Sequence, residues 1–270
     1  MSALLRLDGL TRRFAGLVAV DGVSFAVAAG GVHAVIGPNG AGKTTLFNLV
    51  SGLIPPTSGT IRLGDSDITH LCPEQRAALG LARTFQNIRV FASMTVLENV
   101  LTGLHTRTSA GLVGVLLRLP GARSEERRAV ERARAALDFV RLADKAELRA
   151  AALSYGDQRR LEIARAIAPE PRLLLLDEPA AGMNPAETEA LATLIRRLRD
   201  GRTTVLLVEH DMGFVMDISD SVTVLNFGRR IFDGPAAEAR QDPAVIEAYL
   251  GHKVAARLAA GARVGVRGAG

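Results

Sequence analysis

The stretch 37–45 constrains the fold of this 270-residue chain more than any other part of its sequence. It consists of Gly37, Pro38, Asn39, Gly40, Ala41, Gly42, Lys43, Thr44 and Thr45, which match the pattern G-x-x-x-x-G-K-[ST]. Glycines let backbone N–H groups surround a polyphosphate, because no Cβ atoms stand in the way. An apolar run, 32–36, precedes the stretch and a helical pattern, 45–50, follows it. This order predicts a strand, a phosphate-binding loop and a helix whose N-terminus faces the anion.

Two side chains of this loop suit a nucleotide and its metal ion. Lys43 offers an ammonium group for the outer phosphates, and the Thr44 hydroxyl is placed to ligate Mg²⁺. The chain has only three lysines and otherwise uses arginine, yet the loop keeps one of the three. A chance glycine-rich turn is the alternative interpretation, and the flanking strand and helix patterns argue against it.

Composition and charge predict a globular protein without a nucleic-acid partner. A hydrophobic content of 48% with 23% charged residues is typical of a chain with a substantial core, in one large or two small domains. The net charge of +5 raises the question of nucleic-acid binding. Residues 252–270 carry four basic side chains and no acidic one, which leaves +1 for residues 1–251. We therefore expect a nearly neutral body and a basic, loose C-terminal tail.

The cysteine content and the apolar runs indicate where such a chain works. A single cysteine, Cys72, excludes an internal disulfide and suits a reducing cytosol. The start of the chain lacks a basic segment followed by a long apolar core, which argues against a signal peptide. The apolar runs fall short of the ~20 residues that a membrane helix needs. We expect a protein that is soluble, or that meets a membrane only through partners.

Alternating strand and helix patterns predict an α/β fold. Strand patterns occur at 60–63, 173–176, 203–208, 222–225 and 230–232. A helix pattern covers 186–198, and alternation of this kind around a phosphate loop predicts a mainly parallel sheet. Between 88 and 160 the pattern is helical, with a capping box at Thr95 and Glu98 and a second helix expected to begin at Ser124. We interpret 88–160 as a helical insertion in an α/β domain.

An aromatic residue stands between two predicted strands near the N-terminus. The strands are 4–8 and 23–28, and the aromatic residue is Phe14. An aromatic ring ahead of a phosphate loop can stack on a purine, and stacking on a base contributes ~1–3 kcal/mol. A core residue at a strand end is the alternative interpretation of Phe14.

Two carboxylates and a histidine follow neighbouring strand patterns. The four leucines 173–176 suit a strand buried on both faces, and Asp177 and Glu178 come next, where parallel sheets bind ligands. Asp177 can hold Mg²⁺, and Glu178 can take a proton from an attacking water. A solvated strand end is the alternative for both acids. His210 follows the strand 203–208, and a sheet edge shared with Asp177 favours a functional role over the commoner structural one.

A second helix start also suits an anion. Ser154 and Gly156 stand at the N-terminus of a helical pattern that Pro169 ends. The chain has one lysine-bearing loop and two such helix starts, so the second can cap a nucleotide that another subunit binds. Ordinary helix capping by Ser154 is the alternative.

The order of these motifs resembles the ATP-binding subunit of ABC transporters over about residues 4–250. The motifs are the phosphate loop, Gln86, the signature 153–157, the acidic strand and His210. The resemblance implies an α/β P-loop NTPase (RecA-like) core formed by 1–87 and 161–251. It also implies an N-terminal antiparallel β part and an inserted helical subdomain at 88–160.

The same resemblance implies roles for individual residues. Phe14 stacks on adenine, Glu178 activates water and His210 contacts the γ-phosphate. Gln86 senses the γ-phosphate and Mg²⁺ at the joint with the helical subdomain. The residues that reach the γ-phosphate across a head-to-tail dimer are Ser154 and Gly156.

Longer stretches resemble the ATPases of branched-chain amino acid importers. They are RTFQ at 83–86, LSYGDQRRLEIAR at 153–165, EPAAGMNP at 178–185 and EAYLG at 247–251. This resemblance implies ATP and Mg²⁺ as cofactors, in a complex at the bacterial inner membrane with this subunit on the cytoplasmic face. The implied partners are two permeases, a second ATPase subunit (a homologue or a second copy) and a periplasmic solute-binding protein.

Departures from the general ABC pattern leave some points open. Four positions differ from the usual residue: Phe14 replaces Tyr, Tyr155 replaces Gly, Asp157 replaces Gln and Asn184 replaces Asp. Asn184 stands at a position that the resemblance implies in communication across a dimer. A soluble ABC-type ATPase acting on nucleic acid is an alternative, although the sequence shows no coiled-coil arm, zinc module or second ATPase half. An importer for urea, amides or other amino acids is another, and a P-loop kinase leaves the signature unexplained.

Overall fold

The computed structural model of the chain describes residues 3–84, 88–104 and 120–250, within which strands and helices alternate. The strands are β1 (Ala3–Phe14), β2 (Leu17–Ala28), β3 (Val32–Ile36), β4 (Ser58–Leu63), β5 (Ser66–Asp67), β6 (Leu81–Arg83), β7 (Leu173–Asp177), β8 (Thr204–Val208), β9 (Ser221–Asn226) and β10 (Arg229–Pro235). The helices are α1 (Lys43–Ser51), α2 (Pro73–Ala78), α3 (Val96–Leu104), α4 (Pro120–Phe139), α5 (Tyr155–Ile167), α6 (Pro185–Asp200), α7 (Met212–Ile218), α8 (Ala236–Ala239) and α9 (Pro243–Leu250).

A six-stranded sheet with the order β10-β9-β3-β8-β7-β6 forms the centre of the fold. Strand β10 pairs antiparallel with β9, and the other neighbours pair in parallel. Every residue of β3, β7 and β8 is buried. Parallel strands covered on both faces carry near-continuous apolar side chains, which explains the unbroken leucines of β7. The prediction of a mainly parallel α/β sheet is confirmed.

The two faces of this sheet pack against different layers. Leu174 and Leu176 belong to an apolar cluster with side chains of α3 to α7. Leu173 and Leu175 belong to a second cluster, with α1 and the N-terminal strands. Because side chains alternate along a strand, four consecutive leucines fill both clusters. Burying each leucine stabilises the fold by roughly 1.5–3 kcal/mol relative to leaving it exposed.

The predicted N-terminal antiparallel part is a four-stranded sheet with the order β2-β1-β4-β5. Its first two strands have twelve residues each and extend beyond the predicted 4–8 and 23–28. Several register shifts interrupt their pairing, so the alternation of apolar and polar residues breaks along the sequence. Phe14 is therefore not between the strands as predicted, because it ends β1 and pairs with Leu17 across the hairpin.

The helical layer confirms one predicted helix start and corrects another. Thr95 N–H donates to Glu98 Oε2 at 2.7 Å and Glu98 N–H donates to Thr95 Oγ1 at 3.1 Å, so the predicted capping box is present. The prediction that Ser124 caps the next helix is wrong, because α4 already begins at Pro120, a residue suited to a first helical turn. The expected boundary between residues 160 and 161 falls inside α5.

A buried histidine in β3 connects the two sheets. The His33 ring stacks on Phe25 of β2, with a centroid distance of 5.1 Å and an interplanar angle of 8°. Its Nδ1 lies 2.7 Å from Ser221 Oγ and its Nε2 lies 2.8 Å from Thr223 Oγ1, both on β9. Desolvation by this burial lowers the pKa of His33 from 6.5 to about 4.

We predict that His33 makes folding stability depend on pH between about 6.5 and 4. The unfolded chain binds a proton at the ordinary pKa and the folded chain only near pH 4, so this contribution is complete above pH 6.5 and falls as the pH is lowered. The expected slope is about 1.4 kcal/mol per pH unit. Urea unfolding across this range measures it.

The variant His33→Gln should lose this slope. The matched control is His70→Gln, at an exposed histidine, which should keep it. Equal slopes in the two variants would contradict the prediction.

Candidate nucleotide-binding site

Steric contacts restrict two positions of the phosphate loop to glycine. Gly37 has a φ of 149°, and a Cβ there would lie 2.1 Å from the Leu225 carbonyl oxygen of β9. Gly42 has a φ of 101°, and a Cβ there would lie 2.4 Å from the Ala19 carbonyl oxygen of β2. The loop backbone therefore runs so close to two strands that any side chain at these positions would displace it.

The crest of the loop is open to solvent. Asn39 and Gly40 are exposed, and Thr45 is half-buried in the first turn of α1. Ala41 is buried, and its carbonyl accepts a hydrogen bond from Gly228 N–H at 3.0 Å. A phosphate group at this crest would meet backbone N–H groups and the N-terminus of α1, which favour negative charge.

Lys43 begins α1 and reaches back over the loop. Its Nζ donates to the carbonyl oxygens of Gly37 at 2.7 Å and Pro38 at 3.0 Å, which uses two of its three donors. Desolvation lowers the pKa of the ammonium group, and the negative charge of Glu178 opposes that shift. Lys43 and Glu178 therefore act on each other electrostatically. Thr44, the next residue, is exposed at the start of α1.

The two acidic residues at the end of β7 occupy different environments. Asp177 is buried, and its Oδ2 lies 2.8 Å from Nη2 of Arg83. Glu178 has a φ of 45°, a left-handed conformation that costs a non-glycine residue roughly 1–2 kcal/mol. Its N–H donates to the Val208 carbonyl at 3.0 Å, which ties it to the end of β8. Such strain is frequent at functional sites, and here it lies at the carboxyl edge of the sheet.

A buried carboxylate that the motifs did not single out, Glu209, connects the segments that follow β7 and β8. Its Oε1 accepts from Ala180 N–H at 2.9 Å, and its Oε2 accepts from His210 N–H at 3.2 Å. Burial raises the pKa of Glu209, against the lowering effect of these two hydrogen bonds. The His210 side chain is 60% exposed. His210 and Glu178 thus stand at the ends of two paired strands, on the predicted edge.

The signature residues face the start of α6 in the same chain. Ser154 caps α5 by accepting from Asp157 N–H at 3.2 Å, so the ordinary capping interpretation holds as local geometry. Gly156 is buried, and a Cβ there would lie 2.6 Å from Glu187 Oε1. Tyr155 Oη donates to the Ala181 carbonyl at 3.0 Å. Within the described part of the chain, neither Ser154 nor Gly156 has a hydrogen bond to the phosphate loop.

The unusual aspartate of the signature has a local explanation. The Asp157 carboxylate forms ion pairs with Arg160 and with Lys145, whose Nζ lies 2.5 Å away. Burial raises the pKa of Asp157, but the hydrogen bond from Lys145 and the charges of both cations outweigh burial and lower it. A glutamine at this position could not form these two ion pairs. The neighbouring cations, Lys145 among them, therefore explain the aspartate at position 157.

Phe14 is partly exposed, and one face of its ring is covered by a cation. Phe14 has 41% of its surface exposed, and the guanidinium carbon of Arg12 lies 4.5 Å from the centroid of the Phe14 ring. Arg12 Nη1 in turn donates to the Pro55 carbonyl at 2.9 Å, which holds the guanidinium in place. Phe14 is therefore neither fully buried nor freely mobile, and another planar ring can still approach its exposed surface.

Gln86 lies outside the described residues. A groove is lined by residues that precede Gln86 in the sequence and by residues that follow it. The groove has a volume of about 520 Å³ between β6, α2 and the helical layer. Its lining is largely apolar and includes Leu53 and Phe91, of which 50% and 49% are exposed. Arg165 lies over the Phe91 ring at 5.9 Å. The segment 88–91, which follows Gln86 in the sequence, thus contributes to an exposed apolar surface through Phe91.

The described residues contain no cluster of three or more His, Cys, Asp or Glu that could hold a metal by itself. The donors present are the exposed Thr44 hydroxyl and the buried Asp177 carboxylate, which suit a hard cation that takes further ligands from phosphate oxygens. The residues therefore fit magnesium bound together with a nucleotide. Among the described helices, none is both long enough and apolar enough to cross a membrane.

A glycine-lined phosphate loop between a buried parallel strand and a helix is the architecture of P-loop NTPases, and this chain has it. Residues 20–181 match the ABC transporter family, and residues 229–255 match the family described as "Branched-chain amino acid ATP-binding cassette transporter". The chain belongs to the ABC transporter family of ATP-binding proteins.

Relatives and solved structures agree with this assignment. The chain is 48% identical to the high-affinity branched-chain amino acid transport ATP-binding protein BraF of Pseudomonas aeruginosa, over 92% of this chain and 98% of BraF. It is 47% identical to LivG of Escherichia coli (strain K12), over the same shares. A nucleotide-free ATP-binding cassette from an ABC transporter superimposes with a TM-score of 0.81 at 31% identity, covering 93% of this chain and 100% of that one. The ADP conformation of MJ1267, an ATP-binding cassette of an ABC transporter, gives the same values.

We predict that Glu209 holds the segments after β7 and β8 together. Glu209→Ala removes the acceptor of two backbone N–H groups and should lower the free energy of unfolding by about 1–3 kcal/mol. Amide hydrogen exchange at Ala180 and His210 should accelerate in the variant. Glu189→Ala, at an exposed position of α6, is the control. Unchanged exchange at both amides would contradict the prediction.

Proposed function

We propose that the chain is the ATP-binding and ATP-hydrolysing subunit of an ABC importer for branched-chain amino acids. One observation carries the proposal: the phosphate loop, the acids at the end of β7 and His210 all lie at the carboxyl ends of neighbouring parallel strands of one sheet. The 47–48% identity to branched-chain amino acid transport ATP-binding proteins, over 92% of the chain, supports the choice of cargo. Urea, amides or other amino acids are the alternative cargoes.

Binding is assigned to three groups of residues. Phe14 stacks on the adenine ring, opposite or in place of the Arg12 guanidinium. The loop N–H groups and Lys43 bind the outer phosphates. The residues that hold the magnesium ion are Thr44, Gln86 and Asp177. Magnesium, when bound, neutralises charge on the phosphate oxygens.

Hydrolysis is assigned to residues at the carboxyl edge of the sheet. Glu178 takes the proton from the attacking water, and its strained backbone fixes the carboxylate at the edge. His210 extends from the neighbouring strand end and contacts the γ-phosphate. Gln86 senses the γ-phosphate and the metal. The negative charge of Glu178 opposes the lowering of the Lys43 pKa, which supports a site shared by the two side chains.

The nucleotide site is completed by a second subunit. Ser154 is exposed at the N-terminus of α5, a helix of 13 residues, where an anion is favoured. In a head-to-tail pair, Ser154 and Gly156 of one subunit reach the γ-phosphate held by the other. ATP then stabilises the closed pair and hydrolysis releases it. The second subunit is a homologue or another copy of this chain.

The groove is the docking place of a permease. Its exposed apolar side chains, Leu53 and Phe91, suit a helix from a membrane subunit. The complex contains two permeases and a periplasmic solute-binding protein, with this subunit bound peripherally at the cytoplasmic face of the bacterial inner membrane. A nucleic-acid role has less support, since residues 1–251 carry a net charge of only +1.

We predict that Glu178→Gln lowers ATP turnover by about 10²–10⁴-fold, because the amide cannot accept the proton of water. ATP binding should persist, since the phosphate loop is unchanged. Phosphate release and the affinity for a fluorescent ATP analogue measure the two effects. Glu189→Gln, at an exposed position, serves as the control. Wild-type turnover in Glu178→Gln would remove Glu178 from the role of base.

We predict that two inactive variants complement each other when they are mixed. A Lys43→Ala chain cannot hold ATP but keeps its signature, and a Ser154→Arg chain holds ATP but spoils the site of its neighbour. A mixed dimer regains one intact composite site, so ATPase activity should rise above that of either variant alone. If the mixture stays as inactive as either variant, sharing within a homodimer is wrong, and a heterodimer with a homologous subunit must be tested.

A further inference from the structure

Arg83, the last residue of β6, is a buried arginine whose guanidinium lies against the proposed metal carboxylate. Only 9% of the Arg83 side chain and 5% of the Asp177 side chain are exposed. Nη2 of Arg83 lies 2.8 Å from Oδ2 of Asp177. Strand β6 pairs in parallel with β7 and sets Arg83 opposite Leu175, so this pairing fixes the backbone position of Arg83.

The other terminal nitrogen of Arg83 binds the helix that follows the phosphate loop. Nη1 donates to Asn48 Oδ1 at 2.8 Å and to Ser51 Oγ at 2.7 Å. The guanidinium carbon also lies 5.8 Å from the centroid of the Phe47 ring. All three partners belong to α1. One planar group therefore connects the end of β7 to α1.

These contacts join the two halves of the proposed metal site. Thr44 is in the first turn of α1, and Asn48 follows one turn later on the same helix. Asp177 ends β7. A guanidinium that binds Asn48 with one nitrogen and Asp177 with the other sets how far the carboxylate can move relative to that helix.

We propose that Arg83 is a positioning residue for the magnesium site, which orients the Asp177 carboxylate and fixes its distance from the helix that carries Thr44. This inference rests on the proposed function of Asp177 and Thr44 as metal ligands. Oδ2 of Asp177 is engaged by Arg83, which directs the other oxygen toward the metal. Partners that orient a ligand in this way typically contribute 10–100-fold to metal affinity.

Lysine cannot replace arginine in this arrangement. An ammonium group is a single point charge, whereas the guanidinium holds donors apart in a fixed plane and reaches Asp177 and α1 at the same time. Arg83→Lys therefore keeps the charge and loses the connection. Arg83→Gln loses both the charge and most of the donors.

Binding of Mn²⁺ in the presence of ATP, followed by electron paramagnetic resonance, tests the proposal without relying on hydrolysis. Arg83→Gln should weaken Mn²⁺ binding by about 10–100-fold and Arg83→Lys by a smaller factor. ATP affinity in EDTA should stay within about twofold of wild type, because the phosphate loop is intact. Asn48→Ala, which removes a partner of Arg83 without touching Asp177, should weaken Mn²⁺ binding in the same direction. Arg62→Gln, at an exposed arginine of β4, is the charge control.

The decisive comparison uses the Asp177→Asn background. If Arg83 acts through Asp177, adding Arg83→Gln to Asp177→Asn causes little further loss of Mn²⁺ affinity, whereas a general structural defect adds its full effect. Full additivity, or unchanged or tighter Mn²⁺ binding in Arg83→Gln, would overturn the proposal. If Asp177→Asn alone leaves Mn²⁺ affinity unchanged while Glu178→Gln still abolishes turnover, the metal assignment fails and the ATPase function stands.

Discussion

The parallel pairing of β3, β7 and β8 is the constraint on which the rest of this structure depends. Parallel strands end at the same edge of a sheet, so three segments that are far apart in sequence must emerge side by side. The phosphate loop follows β3, the acids end β7, and Glu209 and His210 follow β8. Pairing of Asp177 with Val208 fixes the relative height of two of these ends. The apolar residues in between serve the site by holding this register through burial on both faces.

Sequence patterns predicted those features that depend on interactions between residues close together in the chain. The phosphate loop, the buried strands, the capping box at Thr95 and the helix predicted over 186–198 depend on neighbours within a few residues, and the structure has them in place. Strand β6 has only three residues, too few for a period to appear. Ser124 was a plausible cap by its own chemistry, but Pro120 starts the helix one turn earlier. Arg83 and Glu209 were missed as site residues for another reason: their partners are separated from them by 94 and 29 residues, and no spacing rule relates them.

Several buried charges of the described residues lie where secondary-structure elements meet. Arg83 with Asp177 joins β7 to α1, and Asp157 with Lys145 joins the signature to the segment before it. Arg76 donates to the carbonyls of Leu49 and Val50 at the end of α1 at 2.6 and 2.7 Å, so a cation also closes that helix. Desolvation of a charge opposes burial, and such pairs stabilise a fold little compared with apolar residues of similar size. Their directional contacts instead favour one relative placement of the joined elements.

The loop between Glu178 and α6 connects the signature residues to the Glu178 turn within a single chain. Tyr155 holds the Ala181 carbonyl at one side of this loop, and Glu209 holds the Ala180 N–H at the other. Asn184 ends the loop by capping α6, accepting from Glu187 N–H at 3.0 Å, and asparagine caps a helix as well as aspartate does. The departure at Asn184 is thus consistent with the local fold. Ala181 N–H also donates to the Glu178 carbonyl at 3.2 Å, so one residue of this loop contacts both the start of α5 and the strained Glu178 turn.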